Sequence, residues 1–209
     1  MMADLDVPYF LARPSSQIDA GIVVLQEGNG MTPQLLRVCE RLAREGYAVV
    51  APDLFFRTGG PFATEDFRDQ LRPLEEDFDQ AIADVAAVDS VLRALGARRT
   101  GVIGFCAGGC VAWHAARHGE GYSAAVGFYG KTIGSNLGPV RCPTLLFFGE
   151  EDPLIPNASE VAAYHSDTVI YPKIGHGFMR DGSEMYVEEV AADAWQKTLD
   201  HFRSHLQDD

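Results

Sequence analysis

Residues Gly101–Gly109 read GVIGFCAGG. The first half, GVIGF, is a continuous apolar run of the kind found in a parallel strand buried on both faces. The second half opens a helical pattern over residues 107–118. Between them lies Gly104-Phe105-Cys106-Ala107-Gly108, a G-x-C-x-G turn with cysteine at the apex. Strand and helix meet too closely in such a turn for side chains larger than hydrogen beside the apex. Cys106 then stands at a helix N-terminus, where the dipole favours a thiolate. The Ala107 N–H is placed to meet a developing oxyanion. The competing reading is a glycine-rich turn around an inert buried cysteine.

Working outward, further apolar runs occur at Gly21–Gln26, Tyr47–Ala51, Ala124–Tyr129, Thr144–Phe148 and Thr168–Tyr171, with Val7–Ala12 as an edge candidate. Helical patterns alternate with them. Residues 32–45 begin with Thr32 as N-cap and Pro33 at the first helical position, and stop before Gly46. Residues 75–95 place Phe78, Ile82, Val85, Val88, Leu92 and Leu95 at three- and four-residue steps, with Gly96 closing the helix. Residues 184–206 are also helical in pattern. Strands alternating with helices predict an α/β fold, a mostly parallel, doubly wound sheet flanked by helices. Its ligands bind at the carboxyl ends of the strands. The stretch 53–74 lacks periodicity and reads as a loop or partly helical excursion over those ends, where substrate is selected.

The 209 residues favour one domain spanning 1–209. A formal net charge of −13 argues against nucleic acid, whose binders need a basic surface. It also means that an anionic ligand would have to be held by local cations. No apolar run reaches the roughly 18 residues of a membrane span. The N-terminal dozen has no basic region of a secretory signal. The four cysteines, Cys39, Cys106, Cys110 and Cys142, are therefore expected as free thiols in a reducing cytoplasm.

Two loops supply partners for Cys106. The strand over Thr144–Phe148 ends in Gly149-Glu150-Glu151-Asp152, and the strand over Thr168–Tyr171 leads to Gly175-His176-Gly177. An acid loop followed by a histidine loop is the order in which a G-x-S-x-G-type turn finds its partners. His176 is the expected general base, then acid. Asp152 is the expected orienter of its imidazole, with Glu150 and Glu151 as rivals. His114 and His118, four apart on the helix after Cys106, have no metal-binding companion motif. No metal site is expected. His201 and His205 are read as exposed on the terminal helix, and Cys39 and Cys142 as packing residues.

The chain resembles the dienelactone hydrolase family of the α/β-hydrolase superfamily. The matching residues are Gln26-Glu27, Ala51-Pro52-Asp53-Leu54, Gly104 to Gly109, Phe128-Tyr129-Gly130, Gly149-Glu150-Glu151-Asp152 and Gly175 to Arg180. The resemblance implies an α/β-hydrolase fold and cleavage of a small enol-lactone or ester, a carboxymethylenebutenolidase-like reaction. It implies a Cys106–His176–Asp152 triad, an acyl-thioester intermediate and no cofactor. It implies that Glu27 contacts the resting thiol and helps it ionise when substrate arrives, and that the Gly28 N–H is the second oxyanion donor. Arg180 would hold a substrate carboxylate with a second arginine, Arg68 or Arg72, with Arg57 a third candidate, and Tyr129 would line the pocket. The chain departs from the family at Gly28-Asn29-Gly30-Met31, where bulky apolar residues are usual. The alternatives are a carboxylesterase or thioesterase of other specificity, or a non-catalytic hydrolase-fold protein that binds a small ligand or senses redox state. A small-molecule partner and a monomer or homodimer are expected.

Overall fold

The computed structural model describes residues 6–59 and 67–207. Among the described residues seven strands form one sheet: β1 (Tyr9–Ala12), β2 (Ala20–Leu25), β3 (Ala48–Pro52), β4 (Arg99–Phe105), β5 (Tyr122–Phe128), β6 (Thr144–Gly149) and β7 (Thr168–Tyr171). Their spatial order is β1-β3-β2-β4-β5-β6-β7. Only β1, at the edge, runs antiparallel, pairing Tyr9 with Pro52. The expected mostly parallel, doubly wound α/β sheet is what the chain builds.

The helices are α1 (Pro33–Arg44), α2 (Phe67–Glu76), α3 (Phe78–Ala94), α4 (Ala107–His118), α5 (Ala158–Tyr164) and α6 (Glu188–Leu206). Alternate strand residues feed two cores. Ile22 and Val24 pack with Leu35, Leu42, Trp195 and Phe202 from α1 and α6. Val23 and Leu25 pack with Val85, Val88, Leu92 and Val111 from α3 and α4. Every residue of β2 is buried, so alternation of apolar and polar residues has no place in it.

Two elements differ from the periodicity reading. The helix expected over 75–95 is two helices, because Asp77 caps the second: its side chain accepts from Gln80 N at 3.1 Å. The 53–74 excursion is partly helical, as expected: its end belongs to α2, which buries Leu71 and Leu74. Residues 183–186 form turns rather than the start of α6, with Tyr186 N donating to Ser183 O. The seven-residue α5 is too short to show a period.

Topology places the site. The chain runs from β2 through α1 to β3 on one side, then crosses back to β4 on the other side of β2. The carboxyl ends of β2 and β4 therefore flank the point where strand order reverses, the usual ligand crevice of such sheets.

Candidate active site

Cys106 sits at this reversal with φ +52°, a conformation few side chains adopt. The surrounding glycines are needed for space. A Cβ on Gly104 would meet the carbonyl of Gly108, and one on Gly109 would meet the carbonyl of Phe128. A Cβ on Gly108 would lie 2.5 Å from Leu25 O. Backbone hydrogen bonds tie the turn to both neighbouring strands: Cys106 N donates to Phe128 O at 3.0 Å and Gly108 N to Gln26 O at 2.9 Å.

The loops after β6 and β7 bring a second pair over the turn. Gly149 lets them meet, since a Cβ there would strike the backbone of Ile174 and Gly175. Glu151 N donates to Ile174 O at 2.9 Å. Asp152 is buried and uses both oxygens, one accepting from Leu154 N at 2.9 Å and the other 2.6 Å from His176 Nδ1. The rival acids are exposed, and Glu150 accepts from Lys173 N. His176 Nε2 is buried without a well-aligned hydrogen bond. Burial alone would lower the His176 pKa. Hydrogen bonding to Asp152 and the nearby Cys106 sulfur outweigh it and raise the value to about 9.

Glu27 and Gly28 extend β2 into the same crevice. Glu27 accepts from Tyr129 Oη at 2.8 Å and from Arg180 Nε, which forms an ion pair with it. Tyr129 lies beneath the cavity rather than on its wall, wholly buried, with its ring edge-on to His176 at 4.9 Å. Burial first, then the neighbouring Glu27, pushes its phenol pKa well above the ordinary value.

A cavity of about 360 Å³ opens over the thiol. Gly28, Asn29, Leu71, Cys106, Ala107, Cys110, Lys131, Leu154, His176 and Arg180 line it. The Gly28 and Ala107 amides have no hydrogen-bond acceptor among the described residues. Lys131, Cys110, Leu71 and Leu154 were not singled out as cavity residues from the sequence. For Lys131 the signal was present: it follows the β5 carboxyl end by three residues.

The arginine expectations divide. Arg180 lines the cavity. Arg57 does not: it is paired with buried Asp84, one of its bonds measuring 2.9 Å, linking the 3-10 turn at Phe56–Thr58 to α3. Arg72 is exposed on α2 and is absent from the cavity wall. The Arg68 side chain lies outside the described residues. His201 and His205 are half-buried rather than exposed, with His201 Nε2 3.3 Å from Pro143 O. His114 stacks on Phe78 at 3.9 Å, and burial first, then Arg117, lowers its pKa to about 4. Cys39 and Cys142 are buried, and none of the four cysteines is in a disulfide. No metal-holding cluster of His, Cys, Asp or Glu and no helix long and apolar enough to cross a membrane occur among the described residues.

The model of the dienelactone hydrolase family matches residues 7–206. The chain belongs to the dienelactone hydrolase family. Family relatives include a Salmonella typhimurium protein named "Putative carboxymethylenebutenolidase", 34% identical across 96% of this chain and 83% of that one. The carboxymethylenebutenolidase of Pseudomonas putida is 30% identical across 89% and 86%. A Klebsiella pneumoniae structure described as a "Putative Dienelactone Hydrolase" superposes with a TM-score of 0.82 at 30% identity, covering 95% of this chain and 93% of its own. The family is one of hydrolases with the α/β-hydrolase fold.

Proposed function

We propose that the chain hydrolyses a small anionic enol-lactone or activated ester through Cys106, His176 and Asp152, by way of an acyl-thioester. The observation that carries this reading is the strained Cys106 turn opening onto the cavity, with His176 held there by buried Asp152.

The chemistry follows from these positions. His176 Nε2 takes the thiol proton, and the thiolate attacks the carbonyl carbon. The Gly28 and Ala107 amides stabilise the oxyanion, a contribution on the order of 3 kcal/mol for each such donor. Collapse breaks the ring C–O bond and expels an enolate, a better leaving group than an alkoxide, which takes the proton from the His176 imidazolium and leaves the imidazole neutral. His176 then activates water against the thioester, and the acid departs. Asp152 holds the imidazole and supports its positive charge. Among the described residues Arg180 and Lys131 are the cations of the cavity wall, and they suit a substrate carboxylate in a chain whose net charge repels one at long range. Four cysteines without a disulfide fit a reducing, cytoplasmic setting.

The apolar wall of Leu71 and Leu154 favours a second reading, esterase action on neutral acyl groups. Steady-state hydrolysis of a dienelactone and of p-nitrophenyl acetate separates the two. We expect rapid lactone turnover that Cys106→Ala abolishes and that Arg180→Met weakens chiefly through KM. Ester turnover without lactone turnover would discard the substrate. Turnover surviving Cys106→Ala would discard the mechanism.

A further inference from the structure

The turn that carries Gly28 is held at both ends. Glu27, at its start, accepts from Tyr129 Oη at 2.8 Å and from Arg180 Nε. Gly30 N donates back to Glu27 O at 3.0 Å, which makes Gly28 and Asn29 the two central residues of a four-residue turn. Gly30 then takes φ +76°, and Thr32 N donates to Gly30 O at 2.9 Å. The Thr32 side chain caps α1 by accepting from Leu35 N at 3.2 Å, and Met31 packs against the core. The backbone of Asn29 is therefore fixed beside an amide of the oxyanion site, and its freedom is confined to its side chain.

Asn29 is half-buried and lines the cavity over Cys106. Near it the wall offers the apolar Leu71 and Leu154 and the cations Lys131 and Arg180. Among the described residues Asn29 brings the one carboxamide of that wall, and its side chain forms no hydrogen bond with any of them. A ligand that fills the cavity takes water away from this group. An alkyl chain laid over it leaves a donor and an acceptor unpaired, which is costly, whereas an oxygen on the ligand restores a partner.

Strand order decides which part of the substrate Asn29 meets. β4, which delivers Cys106, lies between β2 and β5, with β7 at the far edge of the sheet. His176 arrives from the β7 side and protonates the leaving oxygen, and Asn29 arrives from the β2 side. The leaving oxygen therefore lies toward β7 and the acyl carbons toward β2. Successive Cα atoms are about 3.8 Å apart, so with the carbonyl oxygen at Gly28 N the Asn29 side chain reaches the first or second acyl carbon.

We propose that Asn29 is a specificity-determining residue whose carboxamide hydrogen-bonds an oxygen carried on the first or second acyl carbon. The substrate class is then oxygen-substituted acyl esters and lactones rather than plain alkyl ones. The inference rests on the hydrolysis at Cys106 proposed above and adds to it the chemistry of the acyl chain. The Nδ2 amide donates to an ether, hydroxyl or keto oxygen, and Oδ1 accepts from a hydroxyl.

The test compares p-nitrophenyl methoxyacetate with p-nitrophenyl butyrate, which differ by an ether oxygen in place of one methylene. Steady-state kcat/KM is measured for both esters with wild type, Asn29→Leu and Asn29→Asp. The intrinsic reactivity of the two esters cancels when their ratio is compared between proteins. We expect the methoxyacetate-to-butyrate ratio to fall by about three- to tenfold in both variants, the worth of one neutral hydrogen bond. Leucine removes donor and acceptor together, and aspartate keeps the shape but has no amide to donate to an ether oxygen. The loss appears as a raised KM for the methoxyacetate, because the contact is made in the ground and transition states alike. A purely structural role for Asn29 would slow both esters together and leave their ratio unchanged.

A ratio that holds or rises in either folded variant overturns the proposal, and Asn29→Asp, nearly the same shape as the native residue, tests it even where Asn29→Leu does not fold. The two readings fail separately. Turnover abolished by Cys106→Ala, with one ratio shared by wild type and the Asn29 variants, removes the role of Asn29 alone. Turnover that survives Cys106→Ala, with a ratio that still falls in the Asn29 variants, removes the proposed mechanism alone. Turnover of neither ester by the wild type overturns both.

Discussion

Replacing Gly108 with alanine tests whether the site depends on the closeness of α4 to β2. By helix propensity alone the change should stabilise α4, by up to about 1 kcal/mol. The structure reverses that sign. The added Cβ would lie 2.5 Å from Leu25 O and 2.6 Å from Gln26 O, where ordinary contact begins at 3.4 Å, so the two elements must part by about 0.9 Å. Both obstacles are backbone, so no side chain can turn aside to relieve the overlap. Overpacking of this kind costs about 1–3 kcal/mol. In a chain of this size that lowers Tm by roughly 2–12 °C. The same movement stretches the Gly108 N to Gln26 O bond and carries Gly28 away from Ala107. Displacing an oxyanion donor by nearly 1 Å costs on the order of 100-fold in kcat/KM. Calorimetry and steady-state ester hydrolysis read the two effects. Gly175→Ala is the stability control, since nothing lies within 4 Å of its Cβ, and its Tm should hardly change. A Gly108→Ala protein with wild-type Tm and kcat/KM would refute the argument.

Asp152→Asn should leave the fold intact and lower kcat by about 10²–10⁴-fold, since the imidazole loses the partner that orients and charges it; pre-steady-state acylation is the assay, and an unchanged rate would remove Asp152 from the site. The His176 pKa, raised to about 9 from an ordinary 6.5, favours the folded state fully below pH 6.5, and this contribution is lost as pH rises toward 9. Urea melts of wild type and His176→Gln should therefore converge over that window, by at most about 3 kcal/mol; a gap that widens would show the sign to be wrong. Arg57→Met should leave KM for lactone and ester unchanged while destabilising the chain by about 1–3 kcal/mol, because buried Asp84 loses a charged donor; a raised KM would return Arg57 to the substrate.

Sequence and structure agree best where one physical cause dominates. The strands were legible because burial on both faces demands unbroken apolar runs, and β7 spans the residues its pattern marks. The break between α2 and α3 was less legible, because Leu71, Leu74 and Val85 continue an apolar pattern through a cap that one aspartate sets. Arg57 shows a different failure. Its charge and loop position suit a substrate carboxylate, but its partner Asp84 is on α3, 27 residues away in the chain. No local pattern announces a pairing between elements so far apart.

The position of the site, by contrast, follows almost entirely from topology. Each parallel strand from β2 onward, except β3, delivers its next residues to the same rim. Glu27 and Gly28 come from β2, Cys106 and Ala107 from β4, and Tyr129 and Lys131 from β5. Asp152 comes from β6, and His176 and Arg180 from β7. Any residue just past a strand end is therefore a candidate for the crevice, which is why the turn at Cys106 and the loops at Asp152 and His176 could be located from spacing. What spacing cannot assign is the pairing among neighbours on that rim. Glu27 shares that rim with Cys106, Tyr129 and Arg180, and only side-chain geometry shows that it pairs with Tyr129 and Arg180. The sheet makes the meeting place, and side-chain geometry decides which pairs form there.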